Sequence, residues 1–158
     1  MTAEKAQTEK TAKGVKPVFN LAGRETRVAQ ERGEWMSLKE EGSSRRTGVE
    51  FLVYGTDSKQ VRASRNKVAQ RLQVNQRRGR NRKLSLDEIE EGDIIVAVGA
   101  MGDWRTKMDD GTWKHEIYWG DDTLEFNEKN LRMLFEEWPD MAVQVLEFVD
   151  DRANFSRS

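Results

Sequence analysis

Met1 to Lys16 are nearly all Lys, Glu, Thr, Ala and Gln, with almost nothing to bury. Such a stretch cannot offset its own ordering entropy and predicts a disordered tail. Two small apolar islands follow, Pro17–Leu21 and Trp35-Met36 with Leu38, separated by the charged stretch Arg24 to Glu34. Glu40 to Gly48, with Gly42-Ser43-Ser44 inside it, reads as a linker. Order is expected from Val49. Val49 to Tyr54 is β-branched and aromatic between Gly48 and Gly55, which predicts a strand. Thr56-Asp57-Ser58 then offers oxygens to cap a helix. Lys59 to about Val74 predicts a basic amphipathic helix through Val61, Val68 and Leu72, its apolar stripe broken at Ser64 and Arg65. Arg77 to Lys83, with Gly79, reads as a charged break.

Ser85 and Glu88, three apart, match a capping box and predict a helix start. The run Ile94 to Val98 suits a buried helix or a buried strand; the cap tilts the reading to helix. Asp110-Gly111 is a hairpin signal, with Trp104, Trp113 and Trp119 expected to share its apolar surface. Asn127 is placed to cap a helix to about Glu137 carrying Leu131, Leu134 and Phe135. Pro139 suits the first turn of a further helix. In it Met141, Val145, Phe148 and Val149 make one stripe. The pattern predicts a mainly α fold with a small β component, one short strand and a β-hairpin, behind a disordered N-terminal arm. Residues 1–47 are the expected arm and linker, residues 48–155 the expected domain.

Of the 158 residues 36% are apolar and 35% charged, and the net charge is -1. That near-neutrality hides a segregation. Ser58 to Leu86 holds ten Lys or Arg and no acid, whereas Asp87 to Asp151 holds nineteen acids and five Lys or Arg. The basic stretch could bind nucleic-acid phosphates, pair with the acidic half of its own chain, or meet an acidic partner protein. It has no Phe, Tyr or Trp on which bases could stack, which argues against nucleic acid. Cysteine is absent, so disulfides, thiolate metal sites and cysteine nucleophiles are excluded. The first residues have no apolar core of a secretory signal, and no apolar run approaches the ~20 residues of a membrane span.

Catalytic chemistry finds little support. His115 is the only histidine and reads as a hairpin surface residue. Asp109-Asp110 and Asp121-Asp122 lack the spacing of a calcium loop and sit beside Gly111 and Gly120, as turn residues do. Gly99-Ala100-Met101-Gly102 lacks the lysine of a phosphate loop. No catalytic residue, cofactor or metal is expected.

Two segments carry a family resemblance. One is Leu52-Val53-Tyr54-Gly55-Thr56-Asp57-Ser58 with Val61-Arg62 and the basic helix. The other runs from Trp104 through Asp110-Gly111, Phe126, Asn127, Asn130-Leu131, Leu134, Trp138-Pro139, Gln144-Val145 and Phe148 to Asp151-Arg152-Ala153-Asn154-Phe155. In this order they resemble the tail assembly chaperones of long-tailed bacteriophages. The resemblance implies a non-catalytic assembly factor in the host cytoplasm. Its implied partners are the tape measure protein and the tail tube protein, and self-association stays open. A structural tail or connector protein retained in the virion is the alternative, and a nucleic-acid module using residues 59–83 a second one. Arg62, Arg65 and Arg71 are candidate contacts to an acidic surface. Met141, Val145 and Phe148 are candidates for an apolar groove, and Arg152 and Phe155 for the matched ending. Trp104, Trp138, Pro139 and Asn154 match the pattern as expected structural residues.

Overall fold

The structure, a computed structural model, describes residues 14–19, 21, 26–79 and 84–155. Residues 1–13 of the expected tail and 80–83 of the expected charged break lie outside the described residues. A short helix α1 (Arg27–Arg32) leads into β1 (Glu34–Lys39) and β2 (Arg46–Val53). Helices α2 (Lys59–Gly79) and α3 (Leu86–Gly99) follow, then β3 (Met101–Lys107), β4 (Trp113–Lys114), β5 (Glu116–Trp119) and β6 (Asp122–Glu125). The chain closes with α4 (Glu128–Glu137), α5 (Pro139–Asp150) and a 3-10 turn, Arg152–Phe155.

The expected mainly α fold is therefore corrected. Among the described residues five helices stand beside six strands in two antiparallel sheets, a small α+β domain. The larger sheet has the order β1-β2-β3-β4, and β5 and β6 form the second. The expected arm is corrected with it. Part of it forms α1 and β1, and the expected linker is divided between the turn that joins β1 to β2 and the first residues of β2, Arg46, Thr47 and Gly48. Within β1, Met36 and Leu38 are buried while Trp35 and Ser37, which alternate with them, are half-buried on the opposite face. That is period-two patterning, as a sheet with one covered face requires.

β2 is not a lone strand because its inward face is shared. Phe51 lies between Met36 of β1 and Trp104 of β3 in register. The Phe51 ring is 6.5 Å from Trp104 and 6.3 Å from Phe135 of α4, and all three side chains are fully buried. α5 covers the same face with Val145 and Val149, both fully buried. The edge-to-face contact of Phe51 with Phe135 adds to the area term. Gln144 of α5, a residue of the matched pattern, acts as a substitute strand. Its Oε1 accepts from Lys39 N–H at 2.9 Å and its Nε2 donates to Lys39 carbonyl at 3.0 Å, where the β1–β2 register shifts.

The helix ends follow the sequence signals. Ser85 Oγ accepts from Glu88 N–H, and the run over 94–98 is helical in α3. Asn127 Oδ1 accepts from Asn130 N–H at 2.8 Å, and Pro139 opens α5. The broken stripe of α2 has a steric cause. Ser64 is buried where α2 crosses α3 at Gly99, and a Cβ on Gly99 would lie 1.6 Å from Ser64 Oγ. The crossing needs two small residues, not a large apolar one.

Candidate protein-binding site

The Gly-Thr-Asp-Ser turn between β2 and α2 is held from three directions. Ser58, fully buried, donates its hydroxyl to Gly55 carbonyl at 2.6 Å and accepts from Val61 N–H at 3.2 Å, capping α2. Gln30 of α1, also fully buried, donates to Thr26 Oγ1 at 2.8 Å and to Asp57 Oδ2 at 3.1 Å. Its Oε1 accepts from Asp57 N–H at 2.6 Å. Gly55 permits that approach, since a Cβ there would lie 2.3 Å from Gln30 Cγ. From the other end of the chain, Arg152 donates through Nε to Asp57 Oδ2 at 2.8 Å and through Nη2 to Asp57 Oδ1 at 3.0 Å. The Arg152 guanidinium and the Gln30 amide hold the Asp57 carboxyl below its ordinary value, and Asp57 in turn raises Arg152. Arg65 of α2 bridges Thr56 Oγ1 and Asp150, the latter at 2.8 Å. The C-terminal turn thus closes onto the Gly-Thr-Asp-Ser turn, and Phe155 beneath it is fully buried, 5.5 Å from the Phe148 ring.

The candidate residues separate accordingly. Arg62 is exposed on α2. Arg65 is committed to Thr56 and Asp150, and Arg152 to Asp57. Arg71 is exposed and 3.6 Å from Glu91, which also binds Arg132. Val145 and Phe155 are fully buried, and Met141 and Phe148 are half-buried against the same core, so this stripe faces the domain's own interior. Trp104 sits at the core centre, Trp138 packs its ring 4.9 Å from Trp119, and Asn154 Nδ2 donates to Phe148 carbonyl. The three tryptophans expected on one hairpin surface are in three places. Trp104 is in the core, Trp113 lies against Arg105, and Trp119 is at the tip of the second hairpin.

A surface that sequence reading missed lies on the side of the large sheet turned away from the helices. Arg105 of β3 is sandwiched between the rings of Trp35 and Trp113, 3.9 Å and 4.2 Å from their centroids. Glu50 of β2 holds the same guanidinium, accepting from Nε at 3.0 Å. His115 Nδ1 is 2.7 Å from Asp103 Oδ2, and its ring meets Trp35 edge-on at 6.1 Å. Trp and Arg presented together on a fixed strand framework are the side chains that dominate protein interfaces. The signal was the alternation of Trp35-Ser37 and Asp103-Arg105, which has meaning only once β1 and β3 are known to flank β2.

Among the described residues no group of three or more His, Asp or Glu is placed to hold a metal ion, and no helix is long and apolar enough to cross a membrane. The chain matches no protein-family model, and no curated protein or solved structure matches it.

Proposed function

We propose that this chain is a non-catalytic bacteriophage tail assembly chaperone that binds the tape measure protein and helps recruit tail tube subunits in the host cytoplasm. The observation that carries the reading is the contact between Asp57 and Arg152. The two segments that resemble the family lie far apart in sequence, yet they meet in one ion-paired clasp. Gln144, Trp104 and Phe155, also of the matched pattern, are each placed by specific contacts in the same domain.

The open sheet face supplies the binding surface of the proposal. Its Trp35–Arg105–Trp113 stack is held rigid by Glu50 and offers flat, partly exposed aromatic area at small entropic cost to a helical partner. Two of the α2 cations, Arg65 and Arg71, are paired with Asp150 and Glu91, which counts against the nucleic-acid alternative. Mass spectrometry of purified phage particles tests the proposal against the retained structural protein. A chaperone is absent or far below stoichiometry, and a fixed stoichiometric copy number overturns it.

A further inference from the structure

We propose that the segment from Val15 to Leu21 closes on the free edge of β1 in its own molecule and adds a fifth strand to the large sheet. This inference is independent of the tail-assembly reading.

The edge of β1 is open where its backbone needs a partner. β1 is the first strand in the order β1-β2-β3-β4, so β2 pairs with one side of it only. Leu38 carbonyl and Glu40 N–H turn toward β2, where Thr47 Oγ1 and Arg45 carbonyl meet them at 2.9 Å. Lys39 turns its N–H and carbonyl the other way, and Gln144 of α5 takes both. By the same alternation Ser37 and Trp35 point their N–H and carbonyl groups outward on the Lys39 side. Among the described residues nothing bonds those four groups. A strand edge left in this state is a template for another strand.

The segment has the pattern of that strand. Val15, Pro17, Phe19 and Leu21 are apolar at every second position, as in a strand with one covered face. Val15, Val18, Phe19 and Leu21 are 69%, 109%, 60% and 76% exposed, so their apolar surface finds no cover where the segment stands. Covering it is the driving force for closure.

One register satisfies both sides. With the segment antiparallel to β1 and Val18 opposite Ser37, Phe19 falls opposite Met36 and Pro17 opposite Leu38. Phe19 and Pro17 then extend the face on which Met36 and Leu38 are buried. Val18 exchanges backbone hydrogen bonds with Ser37. Pro17 has no N–H to give, and its nitrogen faces solvent, as an edge strand requires of proline. A shift of one residue turns Phe19 to the other face and points the Pro17 nitrogen at β1, where it has nothing to donate. The ladder ends at Lys39, whose groups Gln144 already holds.

The length of the connection assigns the segment to its own molecule. The register brings Leu21 beside Glu34, the second residue after α1. The six residues of α1 measure about 9 Å at ~1.5 Å rise each. The five residues 22–26 span up to about 17 Å at ~3.3 Å each. That tether covers the length of α1 and one strand spacing of ~4.8 Å. A parallel addition would instead carry Leu21 to the far end of β1. The segment therefore reaches the edge without a second chain, at the high effective concentration of a short tether.

Amide hydrogen exchange of the full chain, followed by nuclear magnetic resonance, tests the proposal. The Trp35 and Ser37 amides are read against that of Lys39, which Gln144 holds whether or not the segment closes. Two variants remove the closed state by different routes. Val18→Pro deletes the N–H that donates to Ser37 carbonyl, and Phe19→Asp sets a carboxylate beside Met36. Both positions are exposed in the structure, so the domain folds without them, and circular dichroism checks this. Trp35 and Ser37 are expected to exchange about tenfold more slowly in wild type than in either variant, the scale of one net hydrogen bond. Lys39 should be unchanged, and the ratio should be the same at every protein concentration. Equal rates at Trp35 and Ser37 in wild type and both variants would overturn the proposal. Protection that grows with protein concentration would overturn it as well, because it assigns the edge to a second copy.

Discussion

Arg152 forks onto the carboxylate of Asp57 across 95 residues of chain, and this contact fastens the C-terminal turn to the start of α2. The fork is bidentate, the geometry in which an arginine–carboxylate pair is strongest. Both side chains remain partly in solvent, so screening reduces its worth. Asp57→Asn is expected to lower stability by about 1 kcal/mol, the scale of a partly screened charge-assisted hydrogen bond. The double variant with Arg152→Gln should be little worse than either single one, as partners in one interaction are not additive. Urea denaturation of the four proteins reads the cycle, and full additivity would show the two residues acting separately.

The same pair sets an acid dependence. Asp57 is held below its ordinary value of 3.8 by the Arg152 guanidinium, with the Gln30 amide assisting. Its folded pKa is lower than its unfolded one, so its contribution is complete above the unfolded value and fades as pH falls through the folded one. Thermal midpoints should therefore drop as pH falls below about 4. The drop should be shallower in Asp57→Asn than in wild type when both are followed by circular dichroism.

Two glycines are fixed by close approach. A Cβ on Gly55 meets Gln30 Cγ at 2.3 Å, and one on Gly99 meets Ser64 Oγ at 1.6 Å. Gly55→Ala and Gly99→Ala are each expected to cost about 1–3 kcal/mol, as overpacking does. A rise in stability in either variant, by urea denaturation, would contradict the described packing.

The α5 stripe and the open sheet face should respond in opposite ways. Val145→Asp puts a carboxylate into a fully buried site and is expected to abolish cooperative unfolding. Trp113→Ala, at the half-buried rim of the Arg105 stack, should leave the far-ultraviolet spectrum unchanged. It should weaken capture of the tape measure protein about tenfold or more, the size of an interface hot spot. Equal capture by Trp113→Ala and wild type would remove the open face from the proposed interface.

Local signals in the chain were readable where chemistry is local. The Ser85 and Asn127 caps, Pro139, the Asp110-Gly111 turn and strand β2 all rest on residues within a few positions of one another. The sheet was not readable, because β2 and β3 pair across α2 and α3 and no window contains both. β1 was missed because two inward residues, Met36 and Leu38, are too few to establish a period in a charged surround. Ser64 looked like a fault in the α2 stripe until Gly99 was seen opposite it. The same applies to the candidate site. Arg65 and Arg152 are recognisable as cations in sequence, but only the fold shows that Asp150 and Asp57 already hold them.

The central claim is that this chain keeps a tape measure protein soluble by binding it. Co-expressing the chain with a tape measure protein, and measuring the soluble fraction of that protein with and without the chain, tests this most directly. The account predicts a soluble complex of the two that precipitates when the chain is omitted. Equal solubility in both cases, with no complex recovered, would contradict it.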